Sequence, residues 1–163
     1  MIIRIAEERD MPALLDIYNY EVEHGLATFD VNPKTMEERL LWFRIHNVGN
    51  HPLIVAEEEG KAVGYASLST YREKEAYKAT VELSIYVDHN YRRRGIAGEL
   101  ASAILKMAKE REDIHTVISV ISGENEASIR LHQRLGFVHC GTLREVGVKF
   151  GKILDIENYQ MMV

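Results

Sequence analysis

The sequence predicts an α/β protein built on a mixed sheet, and three observations carry that expectation. Strand-like runs alternate with amphipathic helical runs along all 163 residues. Leu53 to Glu58 and Ala62 to Tyr71 flank Glu59-Gly60-Lys61, a hairpin signal that makes part of the sheet antiparallel. Further on, a helical pattern separates strand-like Thr80 to Val87 from strand-like Thr116 to Ser122, a connection that calls for parallel pairing.

Taken in order, Ile2 to Ala6 alternates apolar with polar and reads as a first strand. Asp10 stands where an N-cap would, Pro12 falls in the first turn, and Leu14, Leu15, Ile17, Tyr18 and Val22 follow at helical spacing. Gly25 ends that helix as a C-terminal cap. Thr35-Met36-Glu37-Glu38 has the form of a capping box, opening a helix through Leu40, Leu41, Phe43 and Ile45. In Thr80 to Val87, Val81, Leu83, Ile85 and Val87 share one face, while Thr80, Glu82, Ser84 and Tyr86 share the other. Ile96, Leu100, Ala103, Ile104, Met107 and Ala108 define an amphipathic helix. Asn125 caps the next one, which Gly136 stops. Phe137 to Val163 reads as two strands around a turn at Gly147 to Gly151.

Composition excludes several classes. Apolar residues at 46% and charged residues at 28% suit a folded chain, and no linker or repeat interrupts it, so a single domain over 1–163 is expected. A formal charge of −5 argues against nucleic acid or an anionic membrane as partner. The lone Cys140 rules out an internal disulfide and reads as a buried spectator. Charges fall too early in Met1-Ile2-Ile3-Arg4-Ile5 for a signal peptide, and no apolar run approaches membrane-spanning length, so the cytoplasm is the expected location. The histidines do not group with Cys140 or with carboxylates, and no metal site is expected.

The segment with most chemical content is Arg92-Arg93-Arg94-Gly95-Ile96-Ala97-Gly98, between a strand and a long helix. The first amides of a helix have no internal partners and the helix dipole favours negative charge there, so such a turn is an anion site. Gly95, Ala97 and Gly98 let backbone approach a ligand, and arginine forks suit phosphate. From residue types alone, a solvated basic loop that merely caps a helix is an equal reading.

Arg-x-x-Gly-x-Ala after a strand, followed by Asn125 and Leu131-His132-Gln133-Arg134-Leu135-Gly136-Phe137, resembles the GNAT N-acetyltransferase superfamily. Ala76 to Glu82, Asn125 to His132 and Val146 to Asp155 resemble its phosphinothricin and methionine sulfoximine N-acetyltransferase branch. The resemblance implies a mostly antiparallel twisted sheet with a splayed parallel central pair and about four flanking helices. It also implies acetyl-CoA as cosubstrate, a small-molecule amine acceptor and a homodimer. Backbone of Ile85, Tyr86 and Val87 would run beside the pantetheine arm, amides of Arg93, Arg94, Gly95, Ile96, Ala97 and Gly98 would hold the pyrophosphate, and Asn125 would contact the pantetheine region. The strand of Ile85 would splay from that of Val117.

Acetyl transfer to an amine needs a base for the ammonium and a way to handle the departing thiolate. Glu82 is the candidate base, because a mid-strand carboxylate is costly unless its face lines a wet cleft; the alternative is a solvent-facing glutamate without a task. His132, where many members of the superfamily carry tyrosine, is the candidate for acid or base work, against an ordinary helix histidine. Arg72, Lys74, Tyr77 and Lys78 are candidates to bind the acceptor's acid group, although interleaved Glu73 and Glu75 equally fit an exposed charged loop. Phe29, within Thr28-Phe29-Asp30, lines the acceptor pocket or anchors the core. Lys74 and Lys78 stand where the branch often has arginine, which keeps charge but loses the two-pronged geometry. Val148 and Ile153 replace its usual aromatics. A protein N-terminal or lysine acetyltransferase and a non-catalytic acyl-CoA-binding module are the alternatives.

Overall fold

The computed structural model describes residues 1–163. Seven strands, β1 (Ile2–Ile5), β2 (Leu53–Glu58), β3 (Lys61–Thr70), β4 (Thr80–Val87), β5 (Thr116–Ser122), β6 (Val138–Lys149) and β7 (Lys152–Met162), form one sheet in the order β1-β2-β3-β4-β5-β7-β6. Every neighbouring pair is antiparallel except β4 and β5, which run parallel. Helices α1 (Met11–His24) and α2 (Met36–Arg44) cover one face. Helices α3 (Ile96–Lys109) and α4 (Glu126–Leu135) cover the other.

Alternation on the central strands decides which core each side chain joins. Ala66, Leu68, Val81 and Leu83 bury against Leu100, Ile104 and Ala108 of α3, and Phe137 and Tyr159 extend that core toward α4. Burying each large apolar side chain of this kind stabilises by about 1.5–3 kcal/mol. On the opposite face Leu53, Val55 and Tyr65 pack with Met11, Leu14 and Ile17 of α1 and with Trp42 and Phe43 of α2. Both hairpins turn on two residues with positive φ, Glu59 and Gly60 in one and Phe150 and Gly151 in the other. The second turn is therefore tighter than the expected Gly147 to Gly151, and β6 and β7 run further.

Several local expectations are met. Thr35 and Glu38 form the capping box, Asn125 Oδ1 accepts from Ser128 N at 3.3 Å, and Gly136 ends α4 at φ 94°. Others are corrected. Asp10 precedes α1 but does not cap it through its side chain; its carboxylate accepts from Glu7 N and from the Arg4 guanidinium. Gly25 does end α1 as its C-terminal cap, with its N–H donating to Glu21 O at 2.9 Å, in extended rather than left-handed backbone, and a Cβ there would overlap the Glu21 carboxylate. In α2, Leu40 and Phe43 pack against the core as their spacing suggests, but Leu41 and the following Ile45 face solvent and Arg39 is buried in their place. Cys140 is exposed, not buried, because nothing in this chain covers that side of β6.

Candidate active site

The parallel pairing of β4 with β5 covers only Thr80↔Thr116, Val81↔Val117 and Glu82↔Ile118. Beyond it β4 stays paired with β3 as far as Val87, and β5 stays paired with β7 as far as Ser122. The two central strands therefore splay from Glu82 onward. The edge of β4 from Leu83 to Val87, which includes Ile85 and Tyr86, meets no strand on that side and offers its backbone groups to an extended ligand.

Glu82 sits at the start of the splay, on the face with Ser84 and Tyr86, opposite Ser69 of β3. No hydrogen bond or ion pair holds its carboxylate. Burial alone pushes its pKa above the ordinary glutamate value. A carboxylate in that condition is a ready proton acceptor near neutral pH.

At the far end of β4 the chain turns through His89–Tyr91 into the arginine segment. Arg93 and Gly95 adopt φ of 62° and 78°, which aims successive amides to one side as α3 begins. Glu99 N bonds to Gly95 O, so the amides of Ile96, Ala97 and Gly98 have no partner inside the helix. No heavy atom beyond the neighbouring residues comes within 4 Å of a Cβ built on Gly95. Arg92 pairs with Glu21, and Arg94 pairs with Glu58 at 3.7 Å. A groove of about 520 Å³ continues from the turn between α3 and α4, past Gly95, Gly98, Ser102, Leu131 and Arg134. Free amides, a bare glycine and a groove of that size fit the diphosphate and the remainder of a CoA molecule.

His132 lies on the α4 side of the sheet, 4% exposed, with its ring edge-on to Phe137 at 4.9 Å. Nδ1 is 2.7 Å from Ser128 O, so that nitrogen carries the proton and donates. Nε2 is buried without a partner. Burial lowers the pKa, which keeps the ring neutral at pH 7 with a lone pair on Nε2. Ser119 of β5, which borders the same Tyr159, also holds a buried hydroxyl without a partner. Glu82 and His132 thus lie on opposite faces of the sheet. Asn125 spends its Oδ1 on the cap of α4.

On the Glu82 face, α2 closes over a cavity of about 310 Å³ lined by Arg39, Trp42, Tyr18, Tyr65, Ser67, Ser69, Ser84 and Tyr86, with Asp30, Lys34 and Glu38 at its rim. Sequence reasoning missed this chamber. Ser84 and Tyr86 share the face assigned to Glu82, but nothing in the chain marks the α2 side chains that meet them. The predicted acceptor residues lie elsewhere. Arg72, Lys74, Tyr77 and Lys78 are exposed on the β3–β4 connection, where the Arg72 guanidinium lies over the rings of Tyr71 and Tyr77 at 5.3 and 6.0 Å. Phe29 packs on Gly147 of β6, where a Cβ would come within 2.3 Å of its ring. Buried Lys149 fastens the same loop by donating to Thr28 O at 2.8 Å and Glu21 O at 3.2 Å. No three His, Cys, Asp or Glu side chains converge as metal ligands would.

Comparison with known proteins shows the family and the fold. The profile of the Acetyltransferase (GNAT) family matches residues 14–137. A phosphinothricin N-acetyltransferase of Streptomyces coelicolor is 44% identical over 161 residues, 97% of this chain and 94% of that protein. Among solved structures, a ribosomal-protein-alanine N-acetyltransferase from Brucella melitensis superposes with a TM-score of 0.96 at 42% identity, covering 100% of both chains. A phosphinothricin acetyltransferase from Sinorhizobium meliloti in complex with acetyl-CoA superposes with a TM-score of 0.96 at 32% identity, over 99% of this chain and 88% of that one.

Proposed function

Because the chain belongs to the Acetyltransferase (GNAT) family, we propose that it moves an acetyl group from acetyl-CoA to the primary amine of a small amino-acid-like acceptor of the phosphinothricin, methionine sulfoximine or methionine sulfone type. The observation that carries this reading is a half-buried, unpaired carboxylate at the mouth of a strand splay, next to a polar chamber of about 310 Å³ that Ser69 and Ser84 line.

When bound, acetyl-CoA supplies an electrophilic thioester carbonyl. Its diphosphate is held by the amides of Arg93 to Gly98, with the Arg93 and Arg94 side chains adding charge. Backbone of Ile85, Tyr86 and Val87 pairs with the pantetheine arm along the open edge of β4, and the Asn125 amide meets it from the start of α4. Glu82 accepts the ammonium proton, directly or through one water, and frees the nitrogen lone pair for direct attack. Collapse of the adduct breaks the C–S bond and expels the CoA thiolate, and His132 Nε2, neutral because burial lowers its pKa, would take the second amine proton and pass it to that sulfur, so that CoA leaves as the thiol. Arg72, Lys74, Tyr77 and Lys78 attract the acceptor's carboxylate, and Phe29 closes the pocket from the hairpin side. We further assign the chain to a single domain working as a homodimer in the cytoplasm, a reducing compartment that suits a lone exposed thiol.

A second reading is favoured by one observation, the high similarity to the ribosomal-protein-alanine N-acetyltransferase of Brucella melitensis. Acetyl-CoA turnover with free amino acids set against peptides with N-terminal alanine separates the two. Acetylation of L-methionine sulfone, methionine sulfoximine or phosphinothricin with no peptide product is the expected outcome. Peptide acetylation alone would transfer the assignment to the second reading.

A further inference from the structure

Arg39 is a buried cation whose position the reaction above does not explain. It is 5% exposed on α2, with no Asp or Glu oxygen within 4 Å of its nitrogens. A guanidinium has five N–H donors, yet the one hydrogen bond it makes is from Nη2 to the Tyr65 hydroxyl at 2.5 Å, and Nε has none. Trp42, Tyr18 and Tyr65 surround it, with its carbon 3.7, 4.8 and 5.3 Å from their ring centres. Those rings offset part of the cost of burying the charge, but they take up no donors. The carboxylates at the rim are engaged elsewhere: Asp30 with Tyr18 and Lys34, Glu38 with Thr35 and Lys34.

Register fixes where Arg39 stands relative to the chemistry. Along the Glu82 face, the exposed β3–β4 connection comes first, then Glu82 opposite Ser69, then Ser84 opposite Ser67, then Tyr86 opposite Tyr65, which Arg39 touches. Glu82 therefore lies between two cationic regions. Successive residues on one face of a strand are roughly 6.6 Å apart, so a side chain about four bonds long, which spans roughly 5 Å, starting from an amine at Glu82, reaches toward Ser84 and the near end of the chamber that Ser84 and Ser69 line. His46 donates from Nδ1 to Trp42 O and accepts at Nε2 from the Ser69 hydroxyl, so Ser69 is fixed and does not compete for Arg39.

We propose that Arg39 reads the far end of the acceptor, donating to an oxygen on a tetrahedral sulfur or phosphorus of its side chain while Glu82 holds the amine. The chamber thus selects oxygenated over purely apolar tails. This deepens the acetyltransferase reading and rests on it.

Steady-state kinetics with two acceptors of similar length, L-methionine sulfone and L-norleucine, tests the proposal. The wild type should favour the sulfone by tenfold or more in kcat/KM, as expected for hydrogen bonds to a charged donor, at roughly 10- to 100-fold in total. Arg39→Met should remove most of that preference through KM, leaving norleucine turnover and acetyl-CoA affinity within about threefold. Arg39→Lys, which keeps charge and loses the fork, should fall between. Equal wild-type efficiency on both acceptors overturns the proposal, as does an Arg39→Met enzyme that loses both in equal proportion; either result leaves the acetyltransferase reading intact. The wild-type preference decides the matter even where Arg39→Met does not fold. Wild-type turnover of neither amino acid overturns the acceptor reading and this inference together.

Discussion

Glu82 is kept at a cost, and the cost is measurable. Its pKa is raised by burial, so the folded chain binds the proton more tightly than the unfolded chain does. Stability linked to this group is fully present below about pH 4.5 and declines as pH rises through the raised value. Glu82→Gln should therefore melt above the wild type at pH 8 and close to it at pH 4, as followed by circular dichroism. The same shift places the acid limb of kcat/KM above the ordinary glutamate value, because the ionised form is the base. No matching loss should appear as pH passes 6.5, since His132 works neutral; a rate that fell there would make the imidazolium the required species. Of these residues, Glu82 could be singled out in the sequence as a mid-strand carboxylate on the polar face of β4, but a solvent-facing glutamate fitted that pattern equally, and the family resemblance was needed to favour a base. Arg39 could not be singled out. An arginine beside the apolar pair Leu40 and Phe43 reads as the charged border of an inward face, and the cavity that takes Arg39 exists only once α2 lies across β3 and β4.

At the scale of elements, the turn into α3 was readable from residue types, whereas the splay of β4 from β5 was not. Pairing ends after Glu82↔Ile118 with no glycine or proline at that point, so the break follows from how α3, α4 and β7 hold the two strands, and only the family resemblance announced it. Gly95 tests the turn. Its φ of 78° is open to glycine and strained for alanine, while a methyl there meets no other atom within 4 Å. Gly95→Ala should thus lower stability by about 1 kcal/mol through backbone strain alone. It should also weaken acetyl-CoA binding about fivefold in titration calorimetry as the amides lose their alignment. Lost stability with unchanged affinity would reduce Gly95 to a helix cap.

For the whole molecule, the order of strands and helices was recoverable because hydrophobic periodicity and turn signals agreed along most of the chain. What periodicity could not supply was the partner of the last hairpin. Val146, Val148, Phe150 and Ile153 are exposed on β6, β7 and their turn, with Val148 at 68% and directly opposite Ile153. Exposed Cys140 shares that strand. Apolar side chains gathered on a surface mark an interaction site, and the homodimer proposed above would place a second copy of the chain there. Val148→Glu should convert the sedimenting species from dimer to monomer; an unchanged dimer would move the interface elsewhere, and a monomeric wild type would remove it. The account as a whole turns on a carboxylate at the strand splay that activates an amine beside an acyl donor held by the α3 turn. Its most direct test is turnover of Glu82→Gln at saturating acetyl-CoA and L-methionine sulfone. The rate should fall by about 10²- to 10⁴-fold, with the acetyl-CoA dissociation constant unchanged. A Glu82→Gln enzyme that turns over at the wild-type rate would contradict the account.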